Sequence, residues 1–134
     1  MKKTELLAEQ ARLHALANEL ARKHWGVDYT GTIKLTRRFW RNQQAAYVFN
    51  DSTGLREIRM STTVNATLTP DSVEGNLLHE LVHWRLQTQG IPCGDTSPAF
   101  IAEIIRVGAP VSQDRYAQAA YRQYLREAGV SEVA

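Results

Sequence analysis

The feature that most constrains the fold is the segment LLHELVHWRL at residues 77–86, whose apolar side chains cover most of the circumference of a helix. A helix without a broad polar face is expected to be central, because it has no side to turn towards water. We predict that this helix begins at Thr69-Pro70, where a threonine cap precedes a proline at the first helical position. It is predicted to end near Gly90, and the rest of the chain must cover it.

In the middle of this helix, three ionisable side chains lie among the apolar residues: His79, Glu80 and His83. Burying an unpaired imidazole or carboxylate costs on the order of several kcal/mol, so the placement requires a compensating partner. Residues four apart lie about 40° apart around a helix and one turn along it, so His79 and His83 can bind one divalent ion. Glu80 is rotated by about 100° from His79 and is expected to reach a water on that ion.

This HExxH spacing is typical of zinc-dependent peptidases. Two imidazoles and a third protein ligand hold Zn²⁺, and the fourth position is left for water. Zinc lowers the pKa of that water and polarises the scissile carbonyl, while Glu80 takes the proton and passes it to the leaving amine. In the alternative interpretation, the two histidines are core residues hydrogen-bonded to backbone or carboxylate groups, and Glu80 forms an ion pair.

The third zinc ligand must come from another segment, and two carboxylates downstream are candidates. We favour Glu103, which lies in an apolar helix predicted from Ser97-Pro98 to Gly108; its alternative role is an ion pair with Arg106. Asp95 is the alternative ligand, although Asp-Thr-Ser-Pro is also a natural turn and cap sequence. Cys93 is less suitable, because a thiolate ligand fits structural zinc better than hydrolytic zinc.

The remaining segments predict an α+β fold. Apolar residues recur at helical spacing from Thr4 to about Trp25, before a glycine cap at Gly26. Segments of strand type follow at 32–36, 45–50 and 56–61, and we predict that they form a three-stranded antiparallel sheet. A last helix is predicted from about Ser112 to Ala128. Because 134 residues with 43% hydrophobic content suffice for one core but not for two, we predict a single domain over 1–134.

Composition excludes several classes of protein. The formal net charge of +2 is too small to indicate a polyanion partner for the chain as a whole. The sequence has no run of 18 apolar residues that would span a bilayer. Cys93 is the only cysteine, which rules out an intramolecular disulfide and a cysteine zinc ribbon within this sequence. We therefore expect a cytoplasmic protein.

A local basic segment, RRFWR at 37–41, interleaves three arginines with two aromatic residues. This composition can bind phosphates and stack on bases. One hypothesis is therefore DNA contact through Arg37, Arg38, Trp40 and Arg41, in a nucleic-acid-binding module whose metal is structural. In the alternative interpretation, Phe39 and Trp40 pack inward and the arginines are solvated.

In order, the segments LTRRFWRNQQAAYVFN, REIRMS, NLLHELVHWRL and PAF resemble the SprT-like zinc metallopeptidases, relatives of the Spartan proteases, over roughly residues 5–110. The resemblance implies a small zincin-like domain, zinc on His79 and His83, Glu80 as the catalytic acid/base, and the link to DNA-associated proteolysis that some members of the family have. Thr96 stands where the family typically has a third histidine, so a carboxylate ligand would make the site similar to a thermolysin-type centre. An inactive zincin scaffold that binds a partner is a further hypothesis. We also expect the strand at 56–61 to lie at a sheet edge and to hold the substrate as an added strand.

Overall fold

The structure is a computed structural model, and it describes residues 1–129. Its elements in chain order are α1 (Lys3–Trp25), β1 (Thr32–Thr36), β2 (Ala45–Asn50), β3 (Leu55–Ser61), α2 (Thr62–Asn65), α3 (Pro70–Thr88), α4 (Pro98–Val107) and α5 (Arg115–Glu127). The predicted α+β class is confirmed, with an N-terminal helix, a three-stranded sheet and helices that follow the strands. Only the short helix α2 was not predicted.

The sheet has the strand order β1-β3-β2, and one of its two pairings corrects the sequence prediction. β2 and β3 form the predicted antiparallel pair, but β1 and β3 are parallel. The reason is the connection between β1 and β2, which is longer than the tight turn between β2 and β3. This connection lets β2 lie one strand position away from β1. β3 then occupies the position between β1 and β2 and runs in the same direction as β1.

The central position of β3 also corrects the expectation that residues 56–61 form a sheet edge. Both sides of β3 are paired, so this strand has no free backbone groups for an added strand. At β1, the backbone N–H of Leu35 donates to Oε1 of Gln10 on α1 over 3.0 Å. This bond covers part of the outer edge of β1, whereas β2 has no neighbouring strand on its outer side within residues 1–129.

The chain divides by its internal contacts into two compact units, one of residues Met1–Leu81 and a second that begins at Val82. In the first unit, α1 packs on β1. Gly26 has a φ of 69°, the left-handed conformation predicted for its cap. The core of this unit includes Leu13 and Ala17 on α1 and Ile58 and Met60 on β3.

The division between the two units falls within α3. Thr69 caps this helix, since its Oγ1 accepts from the backbone N–H of Ser72 over 3.1 Å. Residues 77–82 are all buried, as predicted for a central helix. The single-domain prediction over 1–134 extends beyond the described residues and stays a prediction.

In the second unit, α4 packs against α5. Phe100, Ile101 and Ile104 are buried on α4, and Ala117 and Leu125 are buried on α5. Among residues 1–129, we find no helix with the length and apolar character needed to cross a membrane.

Candidate metal centre

α3 brings together the ionisable residues that interrupt its apolar sequence. Possible ligand atoms of His79, Glu80 and His83 all lie within 4.8 Å of one another. His79 is 9% exposed and Glu80 is 7% exposed, so both belong to the buried part of the helix. These side chains are the one group of at least three potential metal ligands found among residues 1–129. The helical spacing thus produces the cluster that the sequence predicts.

The ring of His83 is held in a defined orientation and tautomer. Its Nδ1 lies 2.5 Å from the backbone carbonyl of Cys93, and because a carbonyl oxygen can only accept, Nδ1 carries the proton. The ring also stacks on Phe100, with centroids 4.1 Å apart and an interplanar angle of 14°. In the neutral ring, Nε2 is therefore left as the lone-pair donor. This is the arrangement that typically orients a metal-binding histidine.

Asp95 lies at the other nitrogen of the same ring. Its Oδ1 is 3.2 Å from Nε2 of His83. If both atoms carry lone pairs, they repel each other unless a proton or a cation lies between them. Two ligands on tetrahedral zinc, at bond lengths of about 2.0–2.2 Å, are separated by about 3.3–3.5 Å. The observed spacing is close to this value and is also that of an ordinary ion pair, and Asp95 is not part of the group formed by His79, Glu80 and His83.

The segment between α3 and α4 carries two of the residues that contact the His83 ring, Cys93 and Asp95. Ser97 makes two hydrogen bonds back to this segment. Its Oγ donates to the carbonyl of Pro92 over 3.1 Å, and its backbone N–H donates to the carbonyl of Gly94 over 3.0 Å. Ser97 is also the N-cap residue of α4, yet its side chain makes no cap hydrogen bond. The hydroxyl that would ordinarily cap the helix instead bridges the turn that contains Cys93 and Asp95.

Glu103, the ligand favoured from sequence, lies on α4 and forms an ion pair with Arg106. Nε and Nη2 of Arg106 donate to the two carboxylate oxygens over 2.6 and 2.9 Å. These hydrogen bonds raise the pKa of Arg106. Glu103 therefore makes the ion pair that the sequence offered as its alternative role.

Cys93 contacts His83 through its backbone carbonyl and not through its thiol. Its carbonyl accepts from His83, while burial raises the pKa of the thiol and so disfavours the thiolate that zinc binds. Sequence reasoning missed this carbonyl and the bridging role of Ser97, because neither contact depends on a motif. The only sequence signal was the turn composition of Pro92 and Gly94 around Cys93.

The basic segment 37–41 lies in the β1–β2 loop, which we define as residues 37–44. Phe39 is 62% exposed, so the interpretation that it packs inward is wrong. Trp40 is half-buried. The arginines are exposed, as both interpretations of the segment expected: Arg37, Arg38 and Arg41. The loop therefore presents cations and one phenyl ring to solvent.

Comparison of the chain with protein-family models, with curated proteins and with solved structures finds no match. The resemblance to SprT-like metallopeptidases therefore stays a prediction from the sequence segments that carry it.

Proposed function

We propose that this chain is a zinc-dependent metallopeptidase that hydrolyses peptide bonds, with an SprT-like, zincin-type core. The observation that carries the proposal is the group formed by His79, Glu80 and His83 on one buried helix. Two imidazoles one helical turn apart are a ligand pair of catalytic zinc sites, and the neighbouring carboxylate is the group that accepts a proton from a zinc-bound water.

The donor set fits zinc. Neutral imidazole nitrogen and carboxylate oxygen are ligands of catalytic zinc sites, and the hydrogen bond from Nδ1 of His83 to the Cys93 carbonyl is the usual support for such a ligand. His79 and His83 would hold the ion. When bound, zinc supplies a Lewis acid that lowers the pKa of water and polarises a carbonyl group.

We propose Asp95 as the third ligand, because its Oδ1 already lies 3.2 Å from Nε2 of His83. This choice reverses the preference drawn from the sequence alone, in which Glu103 came first. Glu103 is the alternative ligand: it is the carboxylate that the sequence favoured, and it forms an ion pair with Arg106 on the same helix. With either residue as third ligand, zinc would have two histidines and one carboxylate, and its fourth position would be left for water.

Glu80 is assigned the proton transfers. Its carboxylate belongs to the same group of atoms as the two imidazoles, so it can accept a proton from the attacking water. It would then deliver this proton to the leaving amine as the peptide bond breaks. Because Glu80 is buried, bulk water competes little for these transfers.

We further propose that the substrate is a protein or peptide and that the cell compartment is a reducing cytoplasm, which suits a chain with a single cysteine. The exposure of Arg37, Arg38 and Arg41 supports a second activity, DNA contact through the β1–β2 loop. In the competing nucleic-acid-module hypothesis, this contact would be the main function and the metal would be structural.

The test of the peptidase is cleavage of an unfolded protein by zinc-loaded chain, compared with the Glu80→Gln variant. Glu80→Gln should keep bound zinc and lose cleavage, because the amide cannot accept and return a proton. Full activity in Glu80→Gln would contradict the mechanism. Zinc binding without cleavage of any unfolded substrate by the wild type would instead favour an inactive scaffold or a nucleic-acid module.

A further inference from the structure

We infer that the β1–β2 loop is a binding surface for single-stranded nucleic acid, with the exposed ring of Phe39 as a stacking platform for a base. This inference deepens the DNA contact proposed above: it commits to an unpaired strand, and it replaces Trp40 by Phe39 as the aromatic contact.

The first observation is the charge pattern of the chain around the loop. The stretch 29–50 contains Lys34, Arg37, Arg38 and Arg41 but no aspartate or glutamate. The three arginines are exposed, and no ion pair with an acidic side chain is seen for them within residues 1–129. A cluster of cations without neighbouring carboxylates in its own segment is complementary to a phosphate backbone.

The second observation is that hydrogen bonds anchor the loop at both ends while most of its side chains are exposed. Thr63 donates its hydroxyl to the carbonyl of Arg37 over 2.6 Å, and the hydroxyl of Ser61 donates to the carbonyl of Arg38. At the other end of the loop, Nδ2 of Asn76 donates to Oε1 of Gln44 over 2.7 Å. These bonds tie the loop to α2, β3 and α3, so less conformational entropy is lost when its side chains bind a ligand.

The third observation is the exposed ring of Phe39. A phenyl ring between arginines, 62% exposed, contributes little to a core. Stacking on a base gives such a ring an apolar partner, and it tolerates any base because every base has a π-face. Within a duplex these faces are already stacked on their neighbours. The ring therefore favours single strands, whereas the arginines alone would bind any polyanion.

The basic surface extends from the loop onto the sheet. β1 and β3 are parallel, so their C-terminal ends lie at the end of the sheet from which the loop starts. Lys34 on β1 is exposed and lies beside Arg59 on β3. Arg59 is paired with Glu57 over 2.6 Å, so Lys34 is the cation that adds to the three arginines. Three to four phosphate contacts predict a slope of about −2 to −3 for log binding constant against log salt with a single strand.

The experiment is fluorescence anisotropy of the whole protein with a labelled short oligothymidylate, the matching oligouridylate and a duplex of the same length. We expect both single strands, or one of them, to bind more tightly than the duplex. Phe39→Ala should weaken single-strand binding by about 5-fold to about 140-fold, the range for the loss of one stacked base. Arg38→Gln should weaken binding and make the salt slope shallower by about 0.7.

Two matched controls separate the loop from general surface effects. Phe49→Ala removes another exposed phenyl ring, on β2 and outside the loop, and Arg122→Gln removes an exposed arginine on α5. Both variants should bind like the wild type. Duplex binding as tight as single-strand binding, unchanged binding by Phe39→Ala, or no binding at low salt would overturn the inference. Binding of anionic lipid vesicles with the same dependence on Phe39 would also overturn it.

Failure of this inference and failure of the peptidase can be distinguished. Glu80→Gln should bind the oligonucleotide like the wild type, because Glu80 lies outside the loop. Conversely, Phe39→Ala should keep the zinc content and the unfolding temperature of the wild type, since its ring is mostly exposed.

Discussion

Nε2 of His83 lies 3.2 Å from Oδ1 of Asp95, while Nδ1 of the same ring faces the carbonyl of Cys93. The carbonyl accepts from Nδ1, so Nε2 is the nitrogen that faces the carboxylate. A proton or a metal ion between Nε2 and Oδ1 makes this contact attractive. The proposed zinc site depends on this relationship together with the position of His79 on the same helix.

Replacing Asp95 tests the third ligand. Asp95→Asn keeps the size of the side chain but removes its negative charge, so zinc affinity should fall by about a hundredfold or more, beyond the range typical for an outer partner. Glu103→Gln should lower affinity by less, because the proposed role of this residue is its ion pair with Arg106. Zinc affinity would be measured by competition with a chromophoric chelator. The reverse order of effects would restore Glu103 as the third ligand.

Ser97 is predicted to act as a positioning residue for the metal site. Ser97→Ala removes the hydroxyl that bridges to Pro92, so the turn that carries Cys93 and Asp95 is less constrained. We expect zinc affinity to fall by about tenfold, the lower end of the range for groups that orient ligands, and to be rescued by Ser97→Thr. The matched control Ser112→Ala also removes a hydroxyl bonded to backbone, before α5. Equal affinities in Ser97→Ala and Ser112→Ala would remove Ser97 from this role.

Much of the fold was predictable because local signals and tertiary packing agree. Strands β1 and β2 occupy the predicted residues, and Gly26 ends α1 as its cap sequence indicates. The parallel pairing of β1 with β3 was not predictable in the same way. It depends on which strand lies between two others, and the side-chain pattern of a single strand does not encode this.

Zinc should stabilise the folded chain if it binds the native state and not the unfolded one. At a free zinc concentration about 100 times the dissociation constant, the gain is about 2.7 kcal/mol, or about 10 °C in the unfolding temperature of a domain of this size. Differential scanning fluorimetry with added zinc, and then with a chelator, measures the shift. His79→Ala should show no such shift, and an equal shift with magnesium would indicate non-specific binding.

Gly31 tests the close approach of the segment before β1 to β3 and to the ring of Tyr29. A Cβ at this position would lie 2.6 Å from the backbone carbonyl oxygen of Arg56 and would also clash with the hydroxyl of Tyr29. Gly31→Ala should therefore lower the free energy of unfolding in urea by about 1–3 kcal/mol. Gly94→Ala is the control, because its Cβ would meet no heavy atom within 4 Å. Equal stabilities of the two variants would contradict the close approach at Gly31.

As with the fold, the part of the candidate site that depends on local sequence was predictable, and the part that depends on tertiary structure was not. His79, Glu80 and His83 could be predicted because helix geometry alone brings residues one and four positions apart together. Asp95 could only be offered as one of two carboxylates, since its position depends on the turn that follows α3. The exposure of Phe39 could not be predicted either, because an aromatic residue in a short basic segment can pack inward or outward with the same local sequence.

The most direct test of the central claim is the zinc content of the purified protein after incubation with zinc and removal of the excess, measured by elemental mass spectrometry. The proposal predicts one zinc ion per chain in the wild type and in Glu80→Gln, and a large loss in His79→Ala. A wild-type chain that is folded by circular dichroism and holds no zinc would contradict the metal site and, with it, the peptidase.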